Sequence, residues 1–475
     1  MKVGIIGAGP AGITAAFELS KRGVDVEVFE GSDAVGGMAR TIECWDQRFD
    51  LGPHRFFSSD ARVNRVWLEA ACDNYAMVNR LTRIFYNNKF FFYPLKPLNA
   101  LINLGPFEAL RCVMSYVRSL LTQRTVSDIP SFEEWVVQRF GRRLFVIFFK
   151  TYSEKLWGIP CQSLDADFAA QRIKKFSLFE ALLSAFKLGR KKHKTLVDLF
   201  AYPLEGTGSI YMTMASECSQ RGGKVHLNTP VRSVVVNDGR ATGVKLESGE
   251  FVACDHVISC MPVTDLVGRM DAVPVGVAEA LSQLKFRNTI LVFLHVEGTD
   301  LFNDNWLYVH SKDLATGRIT NFRNWVPQLY GESKNTVVAL EYWCNTGDDR
   351  WRQSDTELIE LATTEMQRSG LLCGHAVLEG KVTRLQNSYP VYSLGYKKPL
   401  SVVVDFLKGI ENLTPIGRYG SFKYNNQDHS ILMGVLAAEN IAEAARHDLW
   451  SVNTDDEYQE SSVITSTGLV EQQSA

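Results

Sequence analysis

The sequence lacks a long uninterrupted apolar run, because its apolar stretches are short and broken by glycine or charge. No membrane-spanning helix is therefore expected. A dominant charge is also missing: 51 Lys and Arg stand against 53 Asp and Glu, a formal net charge of −2. The overall charge thus gives no reason to expect a nucleic acid partner. Ordinary numbers of glycine (35) and proline (15) in 475 residues exclude a collagen-like or low-complexity chain.

Cysteine pairing is equally absent, since the nine cysteines are scattered and form no Cys-x-x-Cys motif. An odd number in a long chain favours reduced thiols and a cytoplasmic protein. The spacing argues against a zinc site, so no metal is predicted. The apolar residues 3–17 could be read as a signal peptide. A glycine motif explains them better, and no cleavage-like region follows.

That glycine motif opens a pattern typical of a dinucleotide-binding βαβ unit. Residues 2–6 predict a strand, a Gly-x-Gly-x-x-Gly turn follows at once, and a helix pattern leads to a second strand that ends in Glu30. Gly7 permits the tight turn, and Gly9 lets the backbone approach a pyrophosphate. Gly12 lets helix and strand pack closely, and Glu30 is placed to accept from a ribose hydroxyl. A plain glycine-rich turn is the alternative.

A second glycine pair follows the βαβ pattern. Gly36 and Gly37 precede Arg40. This segment resembles the second flavin signature of FAD proteins of the glutathione-reductase and amine-oxidase type, in which the arginine lies near the cofactor phosphates. A surface loop is the alternative. His54 comes next, in a Gly-Pro-His turn, where a position facing the flavin is favoured over a purely structural one.

The rest of the chain predicts an α/β fold. It comprises a discontinuous Rossmann-like FAD-binding domain, a helical insertion and a second, mostly antiparallel β-sheet domain. Residues 80–100 predict a hairpin that turns at Asn87 and Asn88, and about 100–195 is helical in pattern. Residues 256–262 predict a parallel strand that rejoins the first sheet. The predicted limits are 1–95, 200–282 and 400–450 for the FAD-binding domain, 96–199 for a helical substrate domain, 283–399 for the sheet domain and 451–475 for a disordered tail.

Four segments carry a resemblance to a known family. The strongest is GRYGSFKYNNQDHSILMGVLAAENI at 417–441, joined by GPH at 52–54, TYSEKLWG at 151–158 and WLYVHSKDLATGRITNFRNW at 306–325. Together they resemble the UDP-galactopyranose mutases, especially the eukaryotic-type branch. These enzymes lie within the amine-oxidase and protoporphyrinogen-oxidase-like FAD superfamily. The resemblance runs over most of the chain and leaves the sugar and the nucleotide open.

The resemblance implies a set of site residues. Arg172 and Arg318 match the two arginines that clamp the substrate diphosphate, which two fixed guanidiniums can bind bidentately. With His54, which would tune the flavin, they are the implied catalytic residues. The further substrate-binding residues are Tyr93, Trp157, Trp306, Tyr308, Tyr389 and Tyr424. The further cofactor-binding residues are Val231, Arg418, Asn426, Gln427, Asp428 and Ser430. From the residues alone, Arg172 could equally lie on a solvated basic face, and the aromatic residues in the core.

The implied reaction interconverts the pyranose and furanose forms of a nucleotide-diphosphate sugar, with UDP-galactopyranose and UDP-galactofuranose as the first expectation. N5 of the reduced flavin attacks the anomeric carbon, so no side-chain nucleophile is required. FAD in its reduced form is the implied cofactor, and NAD(P)H is the implied reductant. The partner is the nucleotide sugar rather than a nucleic acid, and a homo-oligomer stays open.

Two alternatives remain at this point. An FAD-dependent oxidase or desaturase of the amine-oxidase, protoporphyrinogen-oxidase or carotenoid-desaturase type would use the same FAD motifs. Its site would be an aromatic or apolar tunnel without a diphosphate clamp. A flavin-binding protein that docks on a membrane is the other, because residues 172–194 hold eight Lys or Arg and one acid around an apolar stretch.

Overall fold

A computed structural model describes residues 1–93, 95–121, 131–167 and 199–453, and the short segments 463–465 and 468–470. The strands are β1 (Lys2–Ile6), β2 (Asp25–Phe29), β3 (Thr41–Cys44), β4 (Gln47–Asp50), β5 (Tyr75–Asn79), β6 (Thr82–Tyr86), β7 (Lys89–Phe92), β8 (Leu199–Pro203), β9 (Lys224–His226), β10 (Val231–Asn237), β11 (Arg240–Leu246), β12 (Phe251–Ala253), β13 (His256–Ser259), β14 (Phe286–Glu297), β15 (Trp306–Val309), β16 (Arg318–Asn321), β17 (Asn335–Cys344), β18 (Val377–Pro390), β19 (Leu413–Pro415), β20 (Val463–Thr465) and β21 (Gly468–Val470). The α-helices are α1 (Pro10–Lys21), α2 (Ala61–Ala71), α3 (Pro97–Leu104), α4 (Pro106–Leu121), α5 (Phe132–Phe145), α6 (Thr151–Trp157), α7 (Gly208–Gln220), α8 (Val263–Gly268), α9 (Val275–Gln283), α10 (Asp349–Arg352), α11 (Asp355–Arg368), α12 (Lys397–Lys408), α13 (Gly417–Gly420) and α14 (Gln427–Ala442).

A five-stranded sheet, parallel throughout, forms the first layer in the order β19-β13-β1-β2-β9. Its strands come from both ends and the middle of the chain, which confirms the predicted discontinuous Rossmann-like fold. β1 reads as a continuous apolar run because a parallel strand between helices is buried on both faces. Helices α1 and α14 pack so closely that a Cβ on Gly434 would lie 2.6 Å from the Ala11 carbonyl oxygen.

A seven-stranded sheet forms the second layer, in the order β18-β14-β17-β16-β15-β6-β7. Every pairing in it is antiparallel except that of β15 with β6, which confirms the predicted mostly antiparallel sheet. The hairpin of β6 and β7 turns at Asn87 and Asn88, with φ of 49° and 55°. Such a turn suits asparagine and matches the twist of the strands. The domain limits stay a prediction, and β6 and β7 lie in this sheet although those limits place them in the FAD-binding domain.

The helices α3 to α6 follow β7 and precede β8 in the chain. Ser131 caps the start of α5, because its hydroxyl accepts a hydrogen bond from the backbone N of Glu134 at 3.3 Å. The predicted helical pattern is interrupted after Trp157, since Gly158 has φ 68° and residues 158–166 are not helical. Residues 168–198, which include Arg172 and the whole basic stretch 172–194, lie outside the described residues.

Several sequence-based expectations concern the rest of the chain. No α-helix in the described ranges combines the length and the apolar character needed to cross a membrane. All nine cysteines lie in described ranges as free thiols, and the cytoplasmic location stays a prediction. In the predicted disordered tail the structure describes an antiparallel pair, β20 with β21, while most of its other residues lie outside the described part.

Candidate active site

Two glycine-rich turns meet at the carboxyl ends of β1 and β2. Gly7 takes a φ of 94°, which favours glycine. A Cβ on Gly12 would overlap the carbonyl oxygen of Gly7, and a Cβ on Gly37 would lie 3.1 Å from the Cα of Gly9. Two bare backbone segments therefore face each other at the start of α1, where the pyrophosphate of a dinucleotide would bind.

Glu30 directly follows β2 beside this groove. Its carboxylate accepts hydrogen bonds from the backbone N of Ala8 at 2.7 Å and from the backbone N and hydroxyl of Ser32 at 2.9 and 2.7 Å. The backbone N of Thr229 donates to the Glu30 carbonyl at 2.7 Å, which brings the start of β10, with the buried Val231, to the same edge. Glu30 and the segment that leads to Val231, two of the predicted cofactor-binding positions, thus lie at the same edge.

Arg40 follows the second glycine pair. The backbone N of Gly36 donates to the Ala8 carbonyl at 2.8 Å, which ties this turn to the first motif. The Arg40 side chain is three-quarters buried, with Nη1 3.4 Å from the Asp33 carboxylate. Its carbonyl accepts from the backbone N of Leu51 at 3.3 Å. The cofactor motif therefore fixes the strand that leads into the Gly-Pro-His turn.

His54 lies in that turn with its Nδ1 atom enclosed and without a hydrogen-bond partner among the described residues. Burial, together with the charges of Arg318 and Arg418, lowers its pKa to about 3. The imidazole is therefore neutral near pH 7 and can exchange hydrogen bonds with a ligand but adds no charge. The hydroxyl of Thr207 donates to the His54 carbonyl at 3.0 Å and holds the turn in place.

The register of three strands builds a row of polar side chains next to His54. Tyr308 in β15 lies opposite Arg318 in β16, and Arg318 lies opposite Glu341 in β17. The Arg318 Nε and Nη2 atoms donate to the two Glu341 carboxylate oxygens, each at 2.6 Å. Burial alone would lower the pKa of Arg318, but the Glu341 carboxylate raises it well above its usual value. This pair leaves Nη1 free of Glu341 for other contacts.

A cluster of tyrosines surrounds Arg318. The ring centroid of Tyr308 lies 4.9 Å from that of Tyr93 and 5.5 Å from that of Tyr152. The rings of Tyr389 and Tyr424 stack at 5.3 Å, and the Tyr389 hydroxyl is 3.4 Å from Arg318 Nη2. Burial raises the pKa of Tyr152 and Tyr389, so their hydroxyls stay protonated and can donate hydrogen bonds.

Trp157 completes one wall of the tyrosine cluster. It ends α6, is fully buried, and its ring lies 6.2 Å from Tyr389 and 6.1 Å from Tyr424. Trp306 differs, because it packs in the core with Phe200 and Trp325 at 6.4 and 5.9 Å. Its ring centroid lies 6.5 Å from that of Tyr308. The structure brings Trp157 to the site and places Trp306 behind it.

Arg418 adds a second positive charge at this wall. Its guanidinium carbon lies 4.6 and 4.4 Å from the ring centroids of Tyr389 and Tyr424. Nε and Nη1 donate to the carbonyls of Ser388 and Asn425 at 2.7 and 2.9 Å. Nη2 is buried and has no partner among the described residues, and no described carboxylate forms an ion pair with it. An enclosed cation without an anion is a suitable place for an anionic ligand.

The start of α14 holds the last predicted cofactor residues. Asn426 caps the helix, and the hydroxyl of Ser430 donates to its carbonyl at 3.1 Å. The Gln427 side chain accepts from the hydroxyl of Tyr211 at 2.6 Å and is thereby fixed in the core. Asp428 is buried, and within the described part of the chain its Oδ2 atom lacks a partner. Asp428 is therefore the residue of this group with free hydrogen-bonding capacity.

Sequence reasoning missed Tyr152 and Glu341. Tyr152 lies inside the segment TYSEKLWG that carried the family resemblance, so its motif was noticed but its ring was not assigned. Glu341 is the one carboxylate in the apolar strand β17. A lone acid in a buried strand was the available signal, because such a group needs a partner.

Buried histidines next to the site predict a pH effect on stability. His310 stacks on Tyr152 at 4.9 Å, and burial, then the charge of Lys155, lowers its pKa to about 3. Below pH 6.5 the unfolded chain takes up a proton that the folded chain does not. Stability is thus fully present above pH 6.5 and falls by about 1.4 kcal/mol per pH unit as the pH drops toward 3. In His310→Phe, we expect the melting temperature to fall less between pH 7 and pH 5 than in the wild type. Equal slopes would contradict a neutral His310.

The sequence matches the family described as flavin containing amine oxidoreductase over residues 10–420. It is 28% identical over 170 residues to a probable UDP-galactopyranose mutase of Klebsiella pneumoniae, covering 34% of this chain and 42% of that protein. It is 25% identical over 283 residues to a phytoene desaturase (neurosporene-forming) of Cereibacter sphaeroides, covering 54% and 52%. The chain therefore matches about half or less of the length of these relatives.

Solved structures extend the comparison of the fold. The structure of a reduced UDP-galactopyranose mutase superposes with a TM-score of 0.83 at 22% identity, covering 95% of this chain and 96% of that one. A putative protoporphyrinogen oxidase from Exiguobacterium sp. 255-15 superposes with a TM-score of 0.72 at 16% identity, covering 94% and 99%. At these identities the likeness shows the shared fold.

Proposed function

The chain belongs to the family of flavin containing amine oxidoreductases, and on that premise we propose that it is a nucleotide-sugar mutase. Its substrate would be a nucleotide-diphosphate sugar, with UDP-galactose as the first choice, interconverted between pyranose and furanose forms. The observation that carries the proposal is the cationic, hydroxyl-rich site, in which Arg318 and Arg418 lie among protonated tyrosines. An isoprenoid site would call for an apolar tunnel instead.

FAD fits the residues that would hold it. Gly9 and Gly37 face each other without side chains, and a Cβ on either would project into the gap between them. Within the described part of the chain, His54 Nδ1 and Asp428 Oδ2 have no partner and so have hydrogen-bonding capacity for a ligand. Bound in reduced form, FAD would supply the nucleophile for the anomeric carbon. NAD(P)H is the proposed source of the reducing electrons.

The side chains of the site would bind and orient the substrate. Arg318 Nη1, which takes no part in the Glu341 pair, would bind one phosphate, and Arg172 would bind the other. The hydroxyls of Tyr152 and Tyr389 stay protonated because burial raises their pKa, so they would donate to phosphate or sugar oxygens rather than repel them. The stacked rings would exclude water from the anomeric carbon.

The direct test is anaerobic incubation of the reduced holoprotein with UDP-galactofuranose, followed by chromatography of the nucleotide sugars. We expect UDP-galactopyranose to form with no stoichiometric consumption of NAD(P)H. Oxidation of one NAD(P)H per product, or no conversion by the reduced protein, would contradict the mutase proposal.

The diphosphate clamp gives a binding prediction. Arg318→Lys keeps a cation opposite Glu341 but loses the planar fork, so UDP should bind about 10- to 100-fold more weakly by calorimetry. Arg172→Ala should have an effect of the same order. Arg83→Lys is the matched control, because Arg83 forms a similar bidentate pair with Asp304 at 2.8 and 2.6 Å outside the tyrosine cluster. An unchanged affinity for UDP in both the Arg318 and the Arg172 variant would rule out the clamp.

An FAD-dependent oxidase or desaturase is the second candidate. Two observations favour it: the matches to carotenoid desaturases span about half of this chain, and Glu341 neutralises the charge of Arg318. This function would require product formation coupled to oxygen or quinone reduction. Steady peroxide release with an amine or isoprenoid substrate, together with UDP affinity too weak to measure, would support it over the mutase.

A further inference from the structure

Helix α4 (Pro106–Leu121) carries a stripe of large apolar side chains on the protein surface. Phe107 and Leu121, near its two ends, are 85% and 82% exposed. At 100° per residue the exposed apolar side chains cover an arc of about 140°. The stripe consists of Phe107, Leu110, Val113, Met114, Val117, Leu120 and Leu121. Scattered apolar residues need no explanation, but a continuous stripe of this size marks an interaction surface.

The opposite face of α4 packs on the protein. Cys112 and Ser119 are buried there, and Cys112 belongs to a cluster with Ile84 and Phe91 of the β6–β7 hairpin. The same hairpin leads into Tyr93, which contacts Tyr308 in the candidate site. The helix is thus held firmly with its apolar stripe outward, one packing layer from the site.

Basic side chains border the stripe. Arg111 and Arg118 fall on one edge of the apolar arc. The single acid of the helix, Glu108, is bonded to Arg143 and lies 3.7 Å from Arg111, so its charge is compensated. A cationic edge beside an apolar stripe is the composition of helices that lie in a membrane interface. Because the whole chain has a net charge of −2, the positive charge at this edge is local to the helix.

We propose that α4 lies flat on an anionic lipid bilayer, with its apolar stripe in the acyl boundary and Arg111 and Arg118 at the lipid phosphates. The stripe runs straight along the helix from Phe107 to Leu121 over about 21 Å, which suits a planar surface better than a pocket on a partner protein. The two arginines match the negative surface potential of such a bilayer. This contact is independent of the reaction at the site.

Vesicle flotation of the purified FAD-loaded protein tests the proposal. The vesicles contain phosphatidylcholine alone or phosphatidylcholine with phosphatidylglycerol, at low and high salt. The double variant Phe107→Asp/Leu121→Asp changes two side chains that are already in solvent, so the fold should be unaffected. Val275→Asp is the matched control, because Val275 is 76% exposed on helix α9.

The wild type and Val275→Asp should float with the anionic vesicles and much less with phosphatidylcholine alone. The double variant should bind the anionic vesicles at least about tenfold more weakly, and high salt should weaken the wild-type binding. Equal flotation of all three proteins, or no flotation of the wild type, would overturn the proposal. A wild-type dimer in light scattering that becomes monomeric in the double variant would assign the stripe to a second copy instead.

Discussion

Glu341→Ala is expected to lower the free energy of unfolding by about 3–5 kcal/mol, because it leaves the Arg318 guanidinium buried without its anion. The Glu341 side chain is only 2% exposed and holds Arg318 through two hydrogen bonds of 2.6 Å. Chemical denaturation of the FAD-loaded protein measures the change. Glu341→Gln, which keeps the shape and one acceptor, should lie between the wild type and Glu341→Ala.

An exposed ion pair provides the control for this prediction. Arg240 and Glu411 form a pair at 3.2 Å whose side chains are both more than half exposed. Glu411→Ala should therefore change stability by less than about 1 kcal/mol. The double variant Arg318→Met/Glu341→Leu should be less destabilised than Glu341→Ala alone, since no charge remains buried. Equal effects of Glu341→Ala and Glu411→Ala would show that the buried pair is not formed.

Gly9→Val is expected to purify with less than about a tenth of the wild-type FAD content. A Cβ at Gly9 has its nearest neighbour, the Cα of Gly37, at 3.9 Å, so the chain can fold with a side chain there. The branched carbons would then occupy the groove through which the pyrophosphate must pass. The ratio of flavin to protein absorbance measures the loss, and circular dichroism checks the fold.

Gly276→Val is the matched control for the groove. Gly276 lies in helix α9, and a Cβ there would meet no atom within 4 Å. It should retain full FAD content and the wild-type spectrum. A folded Gly9→Val protein that keeps its FAD would place the cofactor phosphates elsewhere and overturn the assignment of both glycine motifs.

The parts of the fold that follow from local pattern were predictable. The βαβ unit from Lys2 to Phe29 needs only its apolar runs and glycines, and the turn at Asn87 and Asn88 needs only residues that tolerate positive φ. The row of Tyr308, Arg318 and Glu341 is different, because it depends on the pairing of three strands. No local pattern encodes that register, so Glu341 was missed as the partner of Arg318.

Trp306 shows where a segment that resembles a family motif still leaves a position open. It lies two residues before Tyr308 on the same face of β15, about 7 Å further along the strand. Phe200 and Trp325, which come from distant segments, enclose it in the core. Whether an aromatic side chain in this segment lines the site or supports it is decided by those long-range contacts.

The discontinuous parallel sheet also affects how the protein is made. β1 pairs with β13, and β13 with β19, so the sheet closes only after residues near 415 have left the ribosome. Helix α14, which packs on α1, follows later still. Pairings over such sequence distances form slowly. β1 therefore remains unpaired on one side until β13, near the middle of the chain, has been made, and β13 in turn waits for β19. During this period chaperones would protect the apolar edges of these strands.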